Sequence, residues 1–344
     1  MRLLQHLKWL ENMNRLLFAF LILISFVSCT KSEGYKKKLD VPYQKMEPQK
    51  LEIVELNKVL FGLDTANFEA EYRAILPQFE AILVEDPSEE EVGYMKDFVT
   101  DTFMLKINEL VCETFPDIDK VSEDIKGVYQ HYRYYYPDFN VPPTFAYVSG
   151  IYSNRPHSID DESALIGLDF YLSNKDYVYD MLGFPRYQSR RLQPAYLTRD
   201  FAEELYHYTF GNRINQKTVI DEMVAQGKML YFIEALNPAL PDSVILGYST
   251  PQMEWAQDNE GAVWAAVVGN NMLFTNNVDN KRMLFNDGPF TAPFGDASAP
   301  RLGDYIGLQI VRSFMTNNDE TLQDLMKTTD YQDVFQRSQY KPRK

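Results

Sequence analysis

Three side chains that could do chemistry together stand close to one another in residues 200–208. Glu203 and His207 are four positions apart, so on a helix their side chains leave the same face one turn apart, with Glu204 beside them. Carboxylates and an imidazole at this spacing can bind a metal ion or transfer protons. Asp200 extends the same face by one turn. A solvent-facing acidic stripe is the alternative interpretation of these residues.

The spacing agrees only in part with the active-site helix of zinc peptidases. Those enzymes use His-Glu-x-x-His, in which both imidazoles bind the metal and the glutamate is the general base. Here Glu203 replaces the first histidine. Gln226 lies 19 residues after His207, about where a third ligand of glutamate type would stand, and a carboxamide is a much poorer zinc ligand. The pattern predicts a peptidase-like pair of helices with a degenerate metal site.

The first 28 residues have the pattern of an export signal. Basic residues precede an apolar run at residues 16–27, which has the length of a signal peptide rather than of a membrane span. Cys29 follows a small residue, as at the point where a bacterial lipoprotein signal is cleaved and the cysteine acylated. We expect a lipoprotein signal peptide at residues 1–28 and a lipid on Cys29, with ordinary cleavage as the alternative. Either Met1 or Met13 could be the true start, and both leave this signal intact.

Length and charge limit the classes of fold and partner that are possible for the rest of the chain. With 344 residues, 45% of them hydrophobic, the chain can bury a large core. Its formal net charge of −15 argues against a nucleic-acid partner, because counterion release requires a basic surface. Residues 29–50 are polar and without apolar periodicity, which predicts a tether, and residues 51–344 are expected to form one globular domain. Only Cys112 remains besides Cys29, so no intramolecular disulfide is expected if Cys29 is acylated.

Apolar residues recur at helical spacing over most of the domain, which predicts a mainly helical α+β fold. Two strand candidates, residues 144–149 and 164–172, are separated by a polar loop and are expected to pair as an antiparallel hairpin. They would form a small antiparallel sheet. Gly227 in the middle of a helix is best explained by a second helix that crosses closely there, and the glycines Gly303 and Gly307 would allow a similar approach.

Several segments taken together resemble the gliding-motility lipoprotein GldB family of the Bacteroidetes. They are residues 145–149, 165–172, 224–231, 289–291 and 300–312. The likeness extends from about residue 50 to the C-terminus and includes the lipoprotein leader. It implies a lipid-anchored protein of the cell envelope whose partners are envelope proteins of the gliding or type IX secretion machinery. Thr30 and Lys31 after the cysteine are not the acidic residues linked to inner-membrane retention, which predicts the outer membrane.

The GldB family resembles in turn predicted zinc proteases that carry His-Glu-x-x-His, and this implies a zincin-like scaffold. In such enzymes the positions of Glu203 and His207 would be metal ligands, Glu204 the general base, and the position of Gln226 the third ligand. This chain keeps Glu204 and His207 and departs at the other two positions. The expected cofactor is therefore none, with Zn²⁺ as the alternative.

These patterns lead to one expected function and two alternatives. The expected function is that of a non-catalytic envelope lipoprotein on a peptidase-like scaffold, which supports assembly of an envelope complex. The first alternative is a zinc metallopeptidase with an unusual ligand set. The second is a peptide-binding module that uses the former active-site cleft.

Overall fold

The computed structural model of the protein describes residues 34–46, 51–151, 155–172, 176–211 and 217–343. The strands are β1 (Ile53–Glu55), β2 (Thr144–Tyr147), β3 (His157–Ile159) and β4 (Ala164–Gly167). The helices are α1 (Lys36–Leu39), α2 (Leu56–Leu60), α3 (Phe68–Ile75), α4 (Glu89–Thr100), α5 (Thr102–Thr114), α6 (Ile118–Tyr135), α7 (Asp176–Met181), α8 (Arg186–Ser189), α9 (Leu197–Phe210), α10 (Val219–Leu236), α11 (Asp242–Leu246), α12 (Thr250–Asp258), α13 (Glu260–Gly269), α14 (Val278–Phe285), α15 (Leu302–Asn317), α16 (Leu322–Lys327) and α17 (Tyr331–Ser338). The fold is therefore α+β and mainly helical, as predicted.

The sheet has mixed pairing. Within the described residues its strand order is β1-β2-β4-β3, with β1 parallel to β2, β2 parallel to β4, and β3 antiparallel to β4. The predicted antiparallel hairpin of residues 144–149 and 164–172 is wrong, because β2 and β4 run in the same direction. The polar loop between them contains β3, which takes the outer position and turns back into β4. A connection that crosses over in this way permits parallel pairing.

Helix α10 is the centre of the helical core. Its side chains are apolar and buried nearly all round, which is the pattern of a helix enclosed by other elements. It packs against α9 and α6 and crosses α15 at close range. A Cβ atom at Gly227 would overlap the carbonyl oxygen of Gly307, and one at Gly307 would overlap that of Met223. The predicted close crossing at Gly227 is confirmed, whereas Gly303 faces the Phe285 ring instead of a second backbone.

The N-terminal part of the described chain is packed on the domain. Tyr35 and Leu39, four residues apart around α1, are 6% and 5% exposed and belong to the main core. The prediction of a polar tether at residues 29–50 is therefore wrong over residues 34–46. The run of lysines concealed the short amphipathic turn, because only two apolar side chains carry its buried face.

The predicted signal peptide and Cys29 lie outside the described residues. Among the helices that the structure does describe, none combines the length and the apolar character that a membrane span requires.

Candidate functional site

A cleft of about 570 Å³ lies between one face of α9 and the beginning of β3. The α9 side chains that line it are Arg199, Asp200, Glu203, Glu204 and His207. Residues before β3, Phe170, five residues of the segment 184–196 around α8, Gly247 after α11 and Arg301 at the start of α15 complete the walls. The polar face of α9 is therefore neither a plain solvent-facing stripe nor a buried contact, but one side of a cavity.

Helix α9 presents this face because its other side is anchored in the core. Leu197, Phe201, Ala202 and Leu205 recur at helical spacing and are at most 3% exposed. Gly211, with φ of +61°, receives the end of the helix in a conformation that other residues rarely adopt. The amphipathic pattern thus fixes which side chains of α9 face the cleft.

The structure brings together three of the four predicted site residues. Glu203, Glu204 and His207 line the cleft on α9, and α10 packs beside α9 as the predicted helix pair requires. Gln226 is half-buried on α10 and is not part of the cleft lining. The expected convergence of all four side chains therefore fails at Gln226, since the docking of α10 against α15 sets which of its faces meets α9.

Arg199 holds the carboxylates at the start of the cleft. Its Nη1 donates to Asp200 Oδ1 at 2.9 Å and also to Glu203 Oε2, and its Nε donates to the carbonyl oxygen of Ile245 at 3.3 Å. Burial by itself would raise the pKa of Glu203, but Arg199 and then His207 outweigh it, so this pKa lies below its usual range. Glu203 is an ionised carboxylate already paired with a permanent cation.

A chain of hydrogen bonds connects the sheet with α9 beneath the cleft. The Tyr171 hydroxyl donates to Asp200 Oδ2 at 3.0 Å and lies 2.8 Å from His157 Nε2. Since the hydroxyl proton is directed to Asp200, the network assigns the imidazole proton to Nε2 of His157. Burial lowers the pKa of His157 to about 3, so its imidazole is neutral. Burial also raises the pKa of Asp200, against the opposing effect of Arg199.

Glu204 and His207 occupy the outer part of the cleft. Glu204 Oε1 lies 3.9 Å from Nη1 of Arg155, and burial raises the pKa of Glu204 although Arg155 opposes the rise. Burial lowers the pKa of His207, with Glu203 acting in the opposite direction. The buried Nδ1 atom of His207 has no hydrogen-bond partner among the described residues. A neutral imidazole and a carboxyl group of raised pKa can accept and donate protons, so the pair retains acid–base capacity.

Arg301 in the cleft wall and Arg190 converge on the C-terminal end of α11. Arg301 Nη2 donates to the Leu246 carbonyl oxygen at 2.5 Å, and Arg190 Nη2 donates to that of Gly247 at 3.0 Å. Together with the bond from Arg199 to Ile245, they satisfy carbonyls that a helix end leaves unpaired. These hydrogen bonds fix the side chains of Arg199 and Arg301 in the cleft wall.

The side chains present do not form a zinc site. Across the described ranges, no group of three or more His, Cys, Asp or Glu side chains is placed to hold a metal ion. The cation nearest to Glu203 is the guanidinium of Arg199, and Gln226 stands outside the cleft. A catalytic zinc needs three protein ligands with an open fourth position, and the described residues do not supply them.

Sequence reasoning missed Arg199, His157 and Tyr171. Arg199 could have been found, because it precedes Glu203 by four residues and so shares its helix face. The other two carried no usable signal, since His157 stood in an apparent loop and Tyr171 at the end of an apparent strand. Their contact with α9 depends on how the sheet docks against that helix.

Together these features define a mainly helical α+β protein whose polar cleft holds Arg199 paired with Asp200 and Glu203. The family model described as gliding motility protein GldB matches residues 36–342, and the chain belongs to this family. No curated protein and no solved structure matches the chain. Membership confirms the resemblance inferred from the sequence and makes the protein a gliding-motility-related lipoprotein of the cell envelope. The match begins within the packed N-terminal segment, which supports counting that segment as part of the domain.

Proposed function

We propose that this protein is a non-catalytic lipoprotein, anchored in the outer membrane through Cys29, that supports the assembly of an envelope complex related to gliding motility or type IX secretion. Its envelope partners would bind a rigid, peptidase-like domain rather than serve as substrates. The family supplies the process and the lipoprotein class. The non-catalytic role and the place in an assembly are the proposed part.

The observation that carries the proposal is the pairing of Arg199 with both Asp200 and Glu203. A guanidinium stays protonated at all physiological pH values, so this cation cannot be displaced by deprotonation. A metal ion at Glu203 would lie next to it and would be repelled. The same ion pair stabilises the carboxylates that the cleft buries. The polar face of α9 therefore has a structural role, although it resembles a catalytic face.

Complementation tests the non-catalytic role. In a strain that lacks its own copy, Glu204→Gln should restore motility or secretion as well as the wild type does, because the amide keeps the shape and removes the base. Cys29→Ala should fail to restore it, since the anchor is lost. Immunoblots of both variants control for protein level. A Glu204→Gln protein that accumulates normally but restores nothing would contradict the proposal, as would stoichiometric zinc and peptide cleavage in the purified wild type.

A second candidate function, binding of an extended peptide, is favoured by the position of β3. This strand is at the end of the sheet order, and Arg155, Pro156 and His157 at its beginning line the cleft. Terminal strands beside a cleft can bind a peptide through main-chain hydrogen bonds, with pockets selecting the side chains.

A peptide array against the purified protein tests this second function. Binding that weakens in Arg155→Ala, whose side chain is 59% exposed at the cleft, would support it. Arg73→Ala, which removes a surface arginine of α3 bonded to Glu69, is the matched control and should bind as the wild type does. Equal binding by both variants would place any bound peptide elsewhere.

A further inference from the structure

The N-terminal strap, defined as residues 34–46, is bonded to the C-terminal end of α15. The Tyr35 amide donates to Thr316 Oγ1 at 3.2 Å. The Lys38 ammonium donates to the carbonyl oxygens of Asn318 at 2.6 Å and Glu320 at 2.9 Å. These bonds join segments that are almost the whole chain apart, so the strap is held by the folded domain rather than by its own short helix.

The Tyr35 ring is fixed on a buried ion-pair cluster. It is 6% exposed, and the Arg312 guanidinium lies 5.0 Å from the ring centre, within the range of a cation–π contact. Arg312 in turn makes paired hydrogen bonds with Glu234 on α10 and with Asp242 on α11. The Tyr35 ring also contacts Tyr231 edge-on, with the ring centres 6.3 Å apart. Release of the strap would expose this cluster to water, which disfavours release.

The chain between the lipid and the strap is short. Five residue steps separate Cys29 from Gly34, and a fully extended chain spans at most about 3.6 Å per step, or about 18 Å in all. Gly34 lies close against Thr316, because an added Cβ would come within 2.9 Å of its methyl group. A domain of about 300 residues has a radius of gyration of about 19 Å. The linker between Cys29 and Gly34 is therefore too short to let the opposite side of the domain turn towards the lipid.

Helix α15 connects the strap with the cleft. It begins directly after Arg301, which lines the cleft, and its 16 residues end at Asn317 beside the strap. At a rise of 1.5 Å per residue, its two ends are about 24 Å apart. The strap and the cleft thus lie at opposite ends of one rigid element.

We infer that the strap and the C-terminal end of α15 form the surface that faces the lipid bilayer, and that the cleft is presented away from the bilayer. The inference rests on the acylation of Cys29 that the proposed function includes. Lys36 and Lys37 are exposed on the strap, where anionic headgroups would attract them. The protein is held at the membrane in one orientation rather than suspended on a flexible tether.

Energy transfer to the bilayer tests this orientation in the full-length lipidated protein. A donor dye is placed at Asp319→Cys, beside the strap, or at Ala297→Cys, before the cleft end of α15, each in a Cys112→Ser background. Both sites are exposed. Proteoliposomes carry an acceptor dye on their headgroups. We expect several-fold more transfer from residue 319 than from residue 297.

Two further variants show whether the short linker and the bound strap set the orientation. Twenty Gly-Ser residues inserted between Ser32 and Glu33 should remove most of the difference between the two dye sites. Tyr35→Ala combined with Lys38→Ala should do the same, while Gln44→Ala, an exposed and uncharged position of the strap, is the matched control and should keep it. Melting curves verify that each variant is folded.

The outcomes separate the orientation from the anchor. Equal transfer from residues 319 and 297 in a protein whose Cys29 carries lipid would overturn the orientation and leave the anchor intact. A difference that persists in the spacer variant would contradict the role of the short linker, since the strap surface would then face the bilayer without it. Absence of lipid on Cys29, measured by mass spectrometry of the mature N-terminal peptide, would overturn the anchor and with it the inference.

Discussion

At the scale of single residues, Arg199 determines the chemistry of the cleft. Its guanidinium bonds Asp200 and Glu203 at once and reaches the end of α11 through Ile245. A zinc peptidase would use the same helix face to hold a metal that polarises water. An arginine offers charge and fixed hydrogen bonds but no open coordination position, so it stabilises the carboxylates without activating a nucleophile.

The Tyr171 hydroxyl gives a direct test of the network beneath the cleft. Tyr171→Phe should lower the free energy of unfolding by about 1–3 kcal/mol, because it leaves the buried His157 Nε2–H unsatisfied and removes a donor from Asp200. Urea denaturation measures the change. Tyr177→Phe is the control, since Tyr177 is 48% exposed and should behave as the wild type. An unchanged free energy of unfolding in Tyr171→Phe would mean that water replaces the hydroxyl in this network.

Asp304 should make stability depend on pH. Burial raises the pKa of Asp304 to about 7, against the opposing effect of Arg301, while the unfolded value is 3.8. The folded state therefore holds this proton more tightly, and the resulting stabilisation is complete below about pH 4 and lost as the pH rises through 7. Asp304→Asn should remove most of this slope and raise the free energy of unfolding at pH 8 by roughly 2–4 kcal/mol relative to wild type.

Urea denaturation at pH 5, 6, 7 and 8 measures the dependence for both proteins. Two other buried groups act in opposite directions in both proteins. Burial raises the pKa of Asp169 to about 6 against hydrogen bonds from Ser149, which makes stability fall as the pH rises to about 6. Burial lowers the pKa of His157 to about 3, which makes stability rise up to the unfolded value of 6.5. The difference between the two proteins at each pH therefore reports Asp304. Identical slopes in the wild type and in Asp304→Asn would show that Asp304 is ionised in the folded protein throughout this range.

At the scale of elements, the crossing of α10 and α15 is the tightest contact of the core. Gly227 and Gly307 let the two backbones meet where any side chain would overlap a carbonyl group. The same two helices carry Glu234 and Arg312, whose buried hydrogen bonds lie further along the contact. Their relative position is therefore set by backbone contact and by charge pairing together, and the cleft and the strap are both built on it.

Gly227→Ala measures the tightness of this crossing. The added methyl group would meet the Gly307 backbone, which cannot move as a flexible side chain can. We therefore expect the free energy of unfolding to fall by about 1–3 kcal/mol or more. Gly127→Ala on α6 is the matched control, because a Cβ there meets no atom within 4 Å. It should stabilise the protein by up to about 1 kcal/mol through helix propensity. Thermal unfolding distinguishes the two, and a raised melting temperature for Gly227→Ala would contradict the crossing.

The placement of α10 against α9 predicts how an introduced zinc site would behave. Glu203→His adds an imidazole beside His207, but Gln226→Glu should add no zinc affinity to it, because residue 226 lies outside the cleft. Titration calorimetry with Zn²⁺ should give the same affinity for the single and the double variant. A tenfold gain in the double variant, about 1.4 kcal/mol, would mean that the two helices bring Gln226 into the cleft after all.

At the scale of the whole molecule, the protein joins a lipid anchor to a rigid acidic domain. Its net charge of −15 is spread over a chain that belongs to an envelope lipoprotein family. The strap makes the N-terminal end of the described domain part of its core. In the orientation inferred above, partners that approach from the side away from the membrane would meet the cleft.

Cys29→Ala should abolish this attachment. Because the thiol is the acceptor of the lipid, the variant should lose labelling by radioactive fatty acid and leave an uncleaved or mislocalised precursor. Cys112→Ser is the matched control, since Cys112 is a half-buried free thiol of α5 and its loss should leave labelling unchanged. Normal labelling of Cys29→Ala would show that the lipid, or the processing, depends on a different residue.

The sequence by itself determined features that depend on local spacing. Helical periodicity indicated the mainly helical fold and the face of α9 that carries Glu203, Glu204 and His207. A glycine in the middle of a helix indicated the crossing at Gly227. Such features are predictable because a helix repeats every few residues, so one segment contains all the information that its own geometry needs.

Only the tertiary structure decided what distant segments do together. It made β2 and β4 parallel, left Gln226 outside the cleft, and placed Tyr171 and His157 beneath Asp200. It also turned the apparent tether at Tyr35 into a packed strap. Strand direction and side-chain convergence follow from how whole elements share one core, and apolar burial is non-directional, so a local pattern shows that a face is buried without showing what covers it.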